Sequence, residues 1–311
     1  MEIYKYEYGK SLNISPSVIA LGFFDGVTIA HRKLIKEARA VADRKGLSLG
    51  VFTFDSEGSI KQDAKRIYST EQKLTLLERC GVDFAIVADF SNLCLLSPEE
   101  FVRNVIARDV GAAVAASGYN FRFGKGAAAD ANDLCMLMHD IGKSAITVSE
   151  LSRDGEAVSA SRIRSLLSEN KIDEAERLLG APYFIVGTVT SGNAKGRDLG
   201  FPTINTNIDV SKAAPKGVFR SAVPIGDKIF HAVTNIGTCP TFDERGVHAE
   251  THIIDYSGDL YGKRCEVYLL GYLRREIKFD SPDALIKQIQ KDKLRAISEN
   301  GDLTWQRLGL K

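Results

Sequence analysis

The sequence predicts an α/β plus all-β chain: a parallel sheet with helices on both faces, followed by an antiparallel β domain that ends in a helix. Three observations predict it. Apolar strand-like runs alternate with helical patterns through residues 18–150, as a covered parallel sheet requires. After Gly180-Ala181-Pro182 the pattern changes to short β-rich runs separated by glycine-containing turns, the rhythm of an antiparallel barrel or sandwich. The length, 311 residues, exceeds what one hydrophobic core ordinarily serves. The boundary falls near residue 182, giving domains over 1–182 and 183–311.

Taken in order, VIALGFF (18–24) is a short buried-strand run, and Leu34, Ile35, Ala38 and Val41 then recur at helical spacing. LSLGVFTF (47–54) returns to strand. Ser69 and Gln72 form a capping box at the head of STEQKLTLLERC, which Gly81 stops. VDFAIVADF is strand, and SPEEFVRNVIA opens a helix with Ser97 as N-cap, Pro98 at N1 and Glu100 at N3. AAVAAS and AITVSEL are strands around a helical 130–141, and 161–179 is helical again. The later strands are YFIVGTVTSG, GVFRSAVPIG, KIFHAVTNIG, AETHIIDYSG and KRCEVYLLGYL. An amphipathic helix closes the chain, with Leu285, Ile286, Ile289 and Leu294 on one side.

Composition excludes several classes. A net charge of +1 from 41 basic and 40 acidic residues gives no large nucleic-acid footprint. Cys80, Cys94, Cys135, Cys239 and Cys265 are scattered without metal-ligand spacing, as expected of thiols in a reducing compartment. The first twenty residues lack a signal-peptide core, and no apolar run approaches the roughly 20 residues of a membrane helix. A cytoplasmic protein with no membrane partner is expected, its oligomeric state left open.

The stretch LGFFDGVTIAH (21–31) leaves an apolar strand, turns through Asp25-Gly26 and reaches His31 at a helix start. Ligands of open parallel sheets bind beyond the strands' carboxyl ends, where helix N-termini present free N–H groups to phosphate. G-x-F-D-G-V followed by Thr28-Ile29-Ala30-His31 resembles the adenylyltransferase module of bacterial FAD synthetases, within the HxGH nucleotidyltransferase superfamily. GYNFRFGKG (118–126) resembles that family's G-x-(D/N)-F-x-F-G loop, and VSASRIRSLL (158–167) its S-S-(S/T)-x-I-R segment. The resemblance implies a Rossmann-like domain in which His31 stabilises charge developing on a nucleotide phosphate. It also implies nucleotide contacts from Gly22, Phe24, Thr28, Asn120, Ser161 and Arg164. Thr28 stands where the motif often has histidine, and its hydroxyl is expected to donate to phosphate. Ala30 replaces the motif glycine, Ala160 replaces a serine, and TFDSEG (53–58) lacks the family's Pro-His-Pro.

GTVTSGNAKGRDLGFPTINTN (187–207) carries the second site. Gly187, Gly192, Gly196 and Gly200 relax the backbone, and Lys195 and Arg197 place cations beside it. Pro202 fixes the approach of Thr203 and Asn205, whose oxygens suit Mg²⁺. Cradle, cation and metal ligands are what phosphoryl transfer needs, yet no G-x-x-x-x-G-K-(S/T) occurs, so this is no P-loop. The run resembles the riboflavin kinase signature. PKGVF (215–219), NIGTCPTF (235–242), AETHIIDYSGDLYG (249–262) and LRREIKF (273–279) extend the likeness in order.

The resemblance implies a Greek-key β-barrel binding ATP. Glu250 would accept the proton of the riboflavin 5′-hydroxyl, and Arg274 and Glu276 would lie near the flavin, although Arg275 replaces the usual proline. His248 and His252 flank Glu250 and are expected to make ordinary polar contacts. Over nearly the whole chain the likeness is to bifunctional riboflavin kinase/FMN adenylyltransferases. It implies riboflavin, FMN, FAD and ATP as ligands, Mg²⁺ as cofactor, and FAD made through FMN. Two alternatives stand beside it: a kinase whose first domain binds nucleotide without turnover, and a flavin sensor without chemistry. Thr203, Asn205 and Glu250 together count against the sensor, which needs no general base.

Overall fold

The structure, a computed structural model, describes residues 1–55, 65–190, 199–209, 211–238 and 247–310. The chain divides into two compact units, Met1–Ala64 with Tyr68–Ala160, and Lys65–Ile67 with Ser161–Lys311.

The first unit is built on β1 (Glu2–Tyr6), β2 (Ser17–Leu21), β3 (Ser48–Phe54), β4 (Phe84–Ala88), β5 (Ala112–Gly118) and β8 (Ser144–Val148). They form one sheet in the order β1-β4-β3-β2-β5-β8, every pair parallel. The central β2 is buried at every residue because both sheet faces are covered, so it reads as an unbroken apolar run. The edge strand β1, which no sequence signal marked, tolerates Glu2 and Lys5 because it has a neighbour on one side only.

Helix α1 (Ile29–Lys45) buries Leu34, Ile35, Ala38, Val41 and Ala42 and ends on Gly46, at φ +64°. In α2 (Thr70–Arg79) Ser69 and Gln72 close the expected capping box. A turn of helix, α3 (Phe90–Leu93), leads to α4 (Pro98–Glu100), capped by Ser97. The chain continues as π-helix through Phe101–Asp109, where α-helix was expected. The buried face of that segment ends in Asp109, which accepts hydrogen bonds from Tyr6 Oη (2.7 Å) and the Gly9 amide (3.2 Å) and so ties down the N-terminal arm. A short ribbon of β6 (Arg122–Phe123) and β7 (Ala129–Asp130) precedes α5 (Ala131–Asp140).

After a two-stranded ribbon of β9 (Ser152–Arg153) and β10 (Glu156–Ala157), the helical stretch expected over 161–179 is two helices, α6 (Ala160–Ser168) and α7 (Ile172–Leu179). Asn170, at φ +60°, interrupts it; asparagine adopts this left-handed turn more readily than most residues.

The second unit is a closed barrel of β11 (Phe184–Thr190), β12 (Ile204–Ile208), β13 (Gly217–Ile225), β14 (Lys228–Thr238), β15 (Val247–Ile253) and β16 (Arg264–Arg274). Their order, β11-β12-β15-β14-β13-β16, makes β13, β14 and β15 a meander with β16 returning beside β13. That is a Greek key. On β15, Val247, Ala249, Thr251 and Ile253 are buried, while His248, Glu250 and His252 face outward.

Helix α8 (Pro282–Asn300) closes the chain, with Ser281 as N-cap. Its inner face differs from the one expected. Leu285, Ile289, Asp292, Ala296 and Asn300 follow one helical stripe, and Leu294 is 68% exposed. Asp292 takes the inward place because Arg274 of the barrel pairs with it. Among the described residues no helix is long and apolar enough to cross a membrane.

Candidate functional site

In the first unit the chain runs from β2 to β3 and β4 on one side, then places β5 on the other. Beyond the carboxyl ends of β2 and β5 lies the switch point where such sheets bind ligands. A cavity of about 740 Å³ opens there, lined by Gly22, Phe24, Thr28, His31 and Asn120 among others. Of the residues expected at the nucleotide, these five therefore meet in one place. Ser161 and Arg164 belong to the other compact unit, where Arg164 Nη2 donates to Ser161 Oγ at 3.0 Å. The rings of Phe23, Phe54 and Phe90 pack with centroids 4.8–5.4 Å apart, and those of Phe121 and Phe123 stack at 5.6 Å. All five line the same cavity, which gives a planar ring system apolar surfaces to lie on.

The turn between β2 and α1 is strained. Phe24 (φ +53°) and Val27 (φ +42°) both adopt the left-handed region around Asp25-Gly26, at a cost of order 1–3 kcal/mol each. It delivers Thr28 as N-cap of α1. Thr28 Oγ1 accepts from the His31 amide (3.3 Å), and the Thr28 amide donates to His31 Nδ1 (3.1 Å), with Oγ1 also 3.2 Å from that nitrogen. His31 thus takes the place of Glu or Gln in a capping box. With Nδ1 accepting, this hydrogen-bond pattern assigns the ring proton of the neutral imidazole to Nε2. Thr28 is 1% exposed, and its Oγ1 serves as the acceptor of the cap.

Desolvation, and secondarily the Lys73 ammonium, lower the His31 pKa from 6.5 to about 4. Lys73 is itself buried (2% exposed). Its Nζ donates to Phe23 O (3.2 Å), Thr53 Oγ1 (3.0 Å) and Phe54 O (2.7 Å). One side chain from α2 therefore fastens the carboxyl ends of β2 and β3 together beside the cavity.

On the barrel a second cavity, of about 390 Å³, is lined by Thr203, Asn235, Glu250, Arg274, Glu276 and Asp292 with a ring of apolar side chains. Strand register builds it. Glu250 of β15 is paired with Asn205 of β12 on one side and Asn235 of β14 on the other. Thr203, two residues before Asn205, lines the cavity with Glu250. Neutral oxygens beside a carboxylate are a donor set that fits Mg²⁺.

Arg274 is held by Asp292, with Nε and Nη2 at 2.9 and 2.8 Å from Oδ2, while Gln288 Nε2 donates to Oδ1 at 2.9 Å. Glu276 accepts from Asn235 Nδ2 at 3.0 Å. Gly187 pairs with Cys265 on β16, and Gly200, at φ +83°, turns the chain ahead of Phe201 and Pro202. The flanking histidines make local contacts: His248 Nδ1 lies 2.7 Å from Asn207 Oδ1, and His252 Nδ1 2.9 Å from the Pro202 carbonyl. Gly192, Lys195, Gly196 and Arg197 lie outside the described residues.

A model of the FAD synthetase family matches residues 10–162, and one of the riboflavin kinase family matches residues 179–298. A bifunctional riboflavin kinase/FMN adenylyltransferase of Listeria monocytogenes is 33% identical over 285 residues, covering 88% of this chain and 90% of its own. One from Bacillus subtilis is 34% identical over 294 residues, covering 90% and 92%. The chain belongs to the bifunctional riboflavin kinase/FMN adenylyltransferase family. A crystal structure from Streptococcus pneumoniae, described as a macrolide-efflux protein, shares the fold with a TM-score of 0.86. It is 29% identical and covers 96% of this chain and 99% of that one.

Within this bifunctional riboflavin kinase/FMN adenylyltransferase frame, two side chains at or beside the cavities carry no motif. Lys73 gave one signal: it falls on the helical face of Leu76 and Leu77, where a cation is out of place unless it is paired. Asp292 gave the same signal between Ile289 and Ala296. Asn235 opens the NIGTCPTF run already noted, but only strand register shows that it stands opposite Glu250.

Proposed function

We propose that this chain makes FAD from riboflavin in two steps, with the activities divided between the domains expected over 1–182 and 183–311. In the barrel the γ-phosphoryl group of ATP passes to the riboflavin 5′-oxygen, giving FMN and ADP. In the α/β unit the AMP moiety of a second ATP passes to the FMN phosphate, giving FAD and pyrophosphate. The observation that carries the reading is the register that sets Glu250 between Asn205 and Asn235 at the mouth of a cavity shared with Thr203 and Arg274.

Glu250 accepts the proton of the 5′-hydroxyl as that oxygen attacks phosphorus. Thr203 and Asn205 hold Mg²⁺, which when bound neutralises phosphate charge. Glu276 and the Asp292-held Arg274 bind the flavin side of the cavity. In the α/β unit His31 works as a neutral donor: its Nε2–H stabilises the phosphate oxygens as pyrophosphate departs, and Thr28 aims the ring. Gly22, Phe24 and Asn120 line the nucleotide's place. Lys195 and Arg197, in the glycine-rich run, add cations for the kinase step. Cys80, Cys94, Cys135 and Cys265 as free thiols suit a cytoplasmic protein.

Incubating purified protein with riboflavin, ATP and Mg²⁺ and separating the flavins by chromatography tests this. FMN should appear first and FAD after it. FMN without FAD would remove the second step, and unchanged riboflavin would overturn the reading.

A further inference from the structure

Asn235 stands in the barrel cavity with half of its amide unused. Its Nδ2 donates to Glu276 Oε1 at 3.0 Å. A carboxylate only accepts, so that bond fixes which end of the amide is nitrogen. The other end, Oδ1, is shut off from solvent and has no partner among the described residues. A buried carbonyl without a donor is costly, and a ligand that brings one removes the cost.

Register says which part of a ligand that is. Asn235 lies directly opposite Glu250, and both line the cavity. Directly opposed residues of antiparallel strands have Cβ atoms about 4.5–5.5 Å apart. A chain whose terminal hydroxyl reaches the Glu250 carboxylate therefore brings its next hydroxyl within reach of Asn235 Oδ1. Two acceptors side by side match two neighbouring O–H donors. The end of the ribityl chain offers such a pair, the 5′-hydroxyl that is phosphorylated and the 4′-hydroxyl beside it.

We propose that Asn235 is a specificity-determining residue of the kinase step, its Oδ1 accepting the hydrogen bond of the ribityl 4′-hydroxyl. This rests on reading the barrel cavity as the kinase site. Glu276 then has a second task, to hold the amide the right way round. Gly237 makes that possible, since a Cβ at this position would run into the Glu276 carboxylate.

The test compares riboflavin with 4′-deoxyriboflavin as substrates of the full-length protein, following 5′-phosphorylation. Wild type should prefer riboflavin in kcat/KM by about 10- to 100-fold, the effect of leaving one buried acceptor unpaired. Asn235→Ala should bring the ratio close to one by slowing riboflavin and sparing the deoxy analogue. Glu276→Gln, which leaves Asn235 in place but lets its amide turn over, should also lower the ratio, so the test survives if Asn235→Ala fails to fold. A wild-type ratio near one, or a wild-type-like ratio in either variant, overturns the proposal. Glu250→Gln in the same assay separates the two claims. Full kinase activity there would refute the cavity as the kinase site, whereas its loss alongside an unchanged ratio in Asn235→Ala refutes only the role of Asn235.

Discussion

Replacing Lys73 with methionine removes a charge and its hydrogen bonds while keeping an unbranched side chain. Phe23 O retains a donor, Thr53 Oγ1 at 3.1 Å, but Phe54 O loses its 2.7 Å bond to Nζ. An acceptor stranded in this way costs about 1–3 kcal/mol of stability. The electrostatic consequence falls on His31, whose pKa burial first and Lys73 second bring from 6.5 to about 4. In Lys73→Met the imidazole should titrate higher than in wild type yet still below 6.5, since burial remains.

The sign of the stability change follows from the same shift. The unfolded chain binds this proton more readily than the folded one, so the neutral form's contribution is complete above pH 6.5 and is lost as pH falls toward about 4. At about 1.4 kcal/mol per pKa unit, the fall from 6.5 to about 4 sets a ceiling of about 3.5 kcal/mol, and water in the open cavity reduces it. The assay is an NMR titration of the labelled imidazoles, with the His31 signal assigned by its loss in His31→Ala. A wild-type His31 titrating near 6.5, or a value that stays or falls in Lys73→Met, would refute the reasoning.

Three further substitutions address the cavities. Thr28→Val removes the cap of α1, worth about 0.5–2 kcal/mol, and should slow FAD formation from FMN without changing FMN formation; an unchanged FAD rate would mean that the Thr28 amide alone aims His31. Asn205→Ala should raise the Mg²⁺ concentration needed for half-maximal kinase rate at fixed ATP, and wild-type dependence would make Asn205 a purely structural residue. Gly237→Ala puts a Cβ where the Glu276 carboxylate sits. It should raise the riboflavin KM of the kinase step while leaving FMN adenylylation intact, and an unchanged KM would take Glu276 out of the flavin site.

The two architectures were legible because each imposes a local pattern on the chain. Burial on both faces makes β2 an unbroken apolar run, and the capping boxes at Ser69 and Ser97 are short-range chemistry that any sequence displays. The Glu250 cavity was legible through motif resemblance, which also put Thr203, Arg274 and Glu276 together. What stayed hidden depends on partners far along the chain. Lys73 is buried because Phe23 and Phe54 receive its ammonium, and Asp292 turns inward because Arg274 does. Hydrophobicity alone puts Leu294 on the inner face of α8 and cannot foresee that the Asp292–Arg274 ion pair turns another stripe inward. The edge strand β1, half polar and paired on one side, leaves almost no alternation to detect. The capping box joining Thr28 to His31 is hidden in the sequence for a different reason: histidine is not a residue expected at its third position.

The central claim, two chemically separate sites on one chain, is tested most directly by Glu250→Gln supplied in turn with riboflavin and with FMN. The substitution keeps the side chain's size and removes its basicity, and losing a general base typically costs about 10²–10⁴-fold in rate. FMN formation from riboflavin should fall by that factor while conversion of supplied FMN to FAD proceeds at the wild-type rate. If the folded variant lost both conversions together, or kept riboflavin phosphorylation at full rate, the assignment of the kinase step to Glu250 in a site of its own would be contradicted.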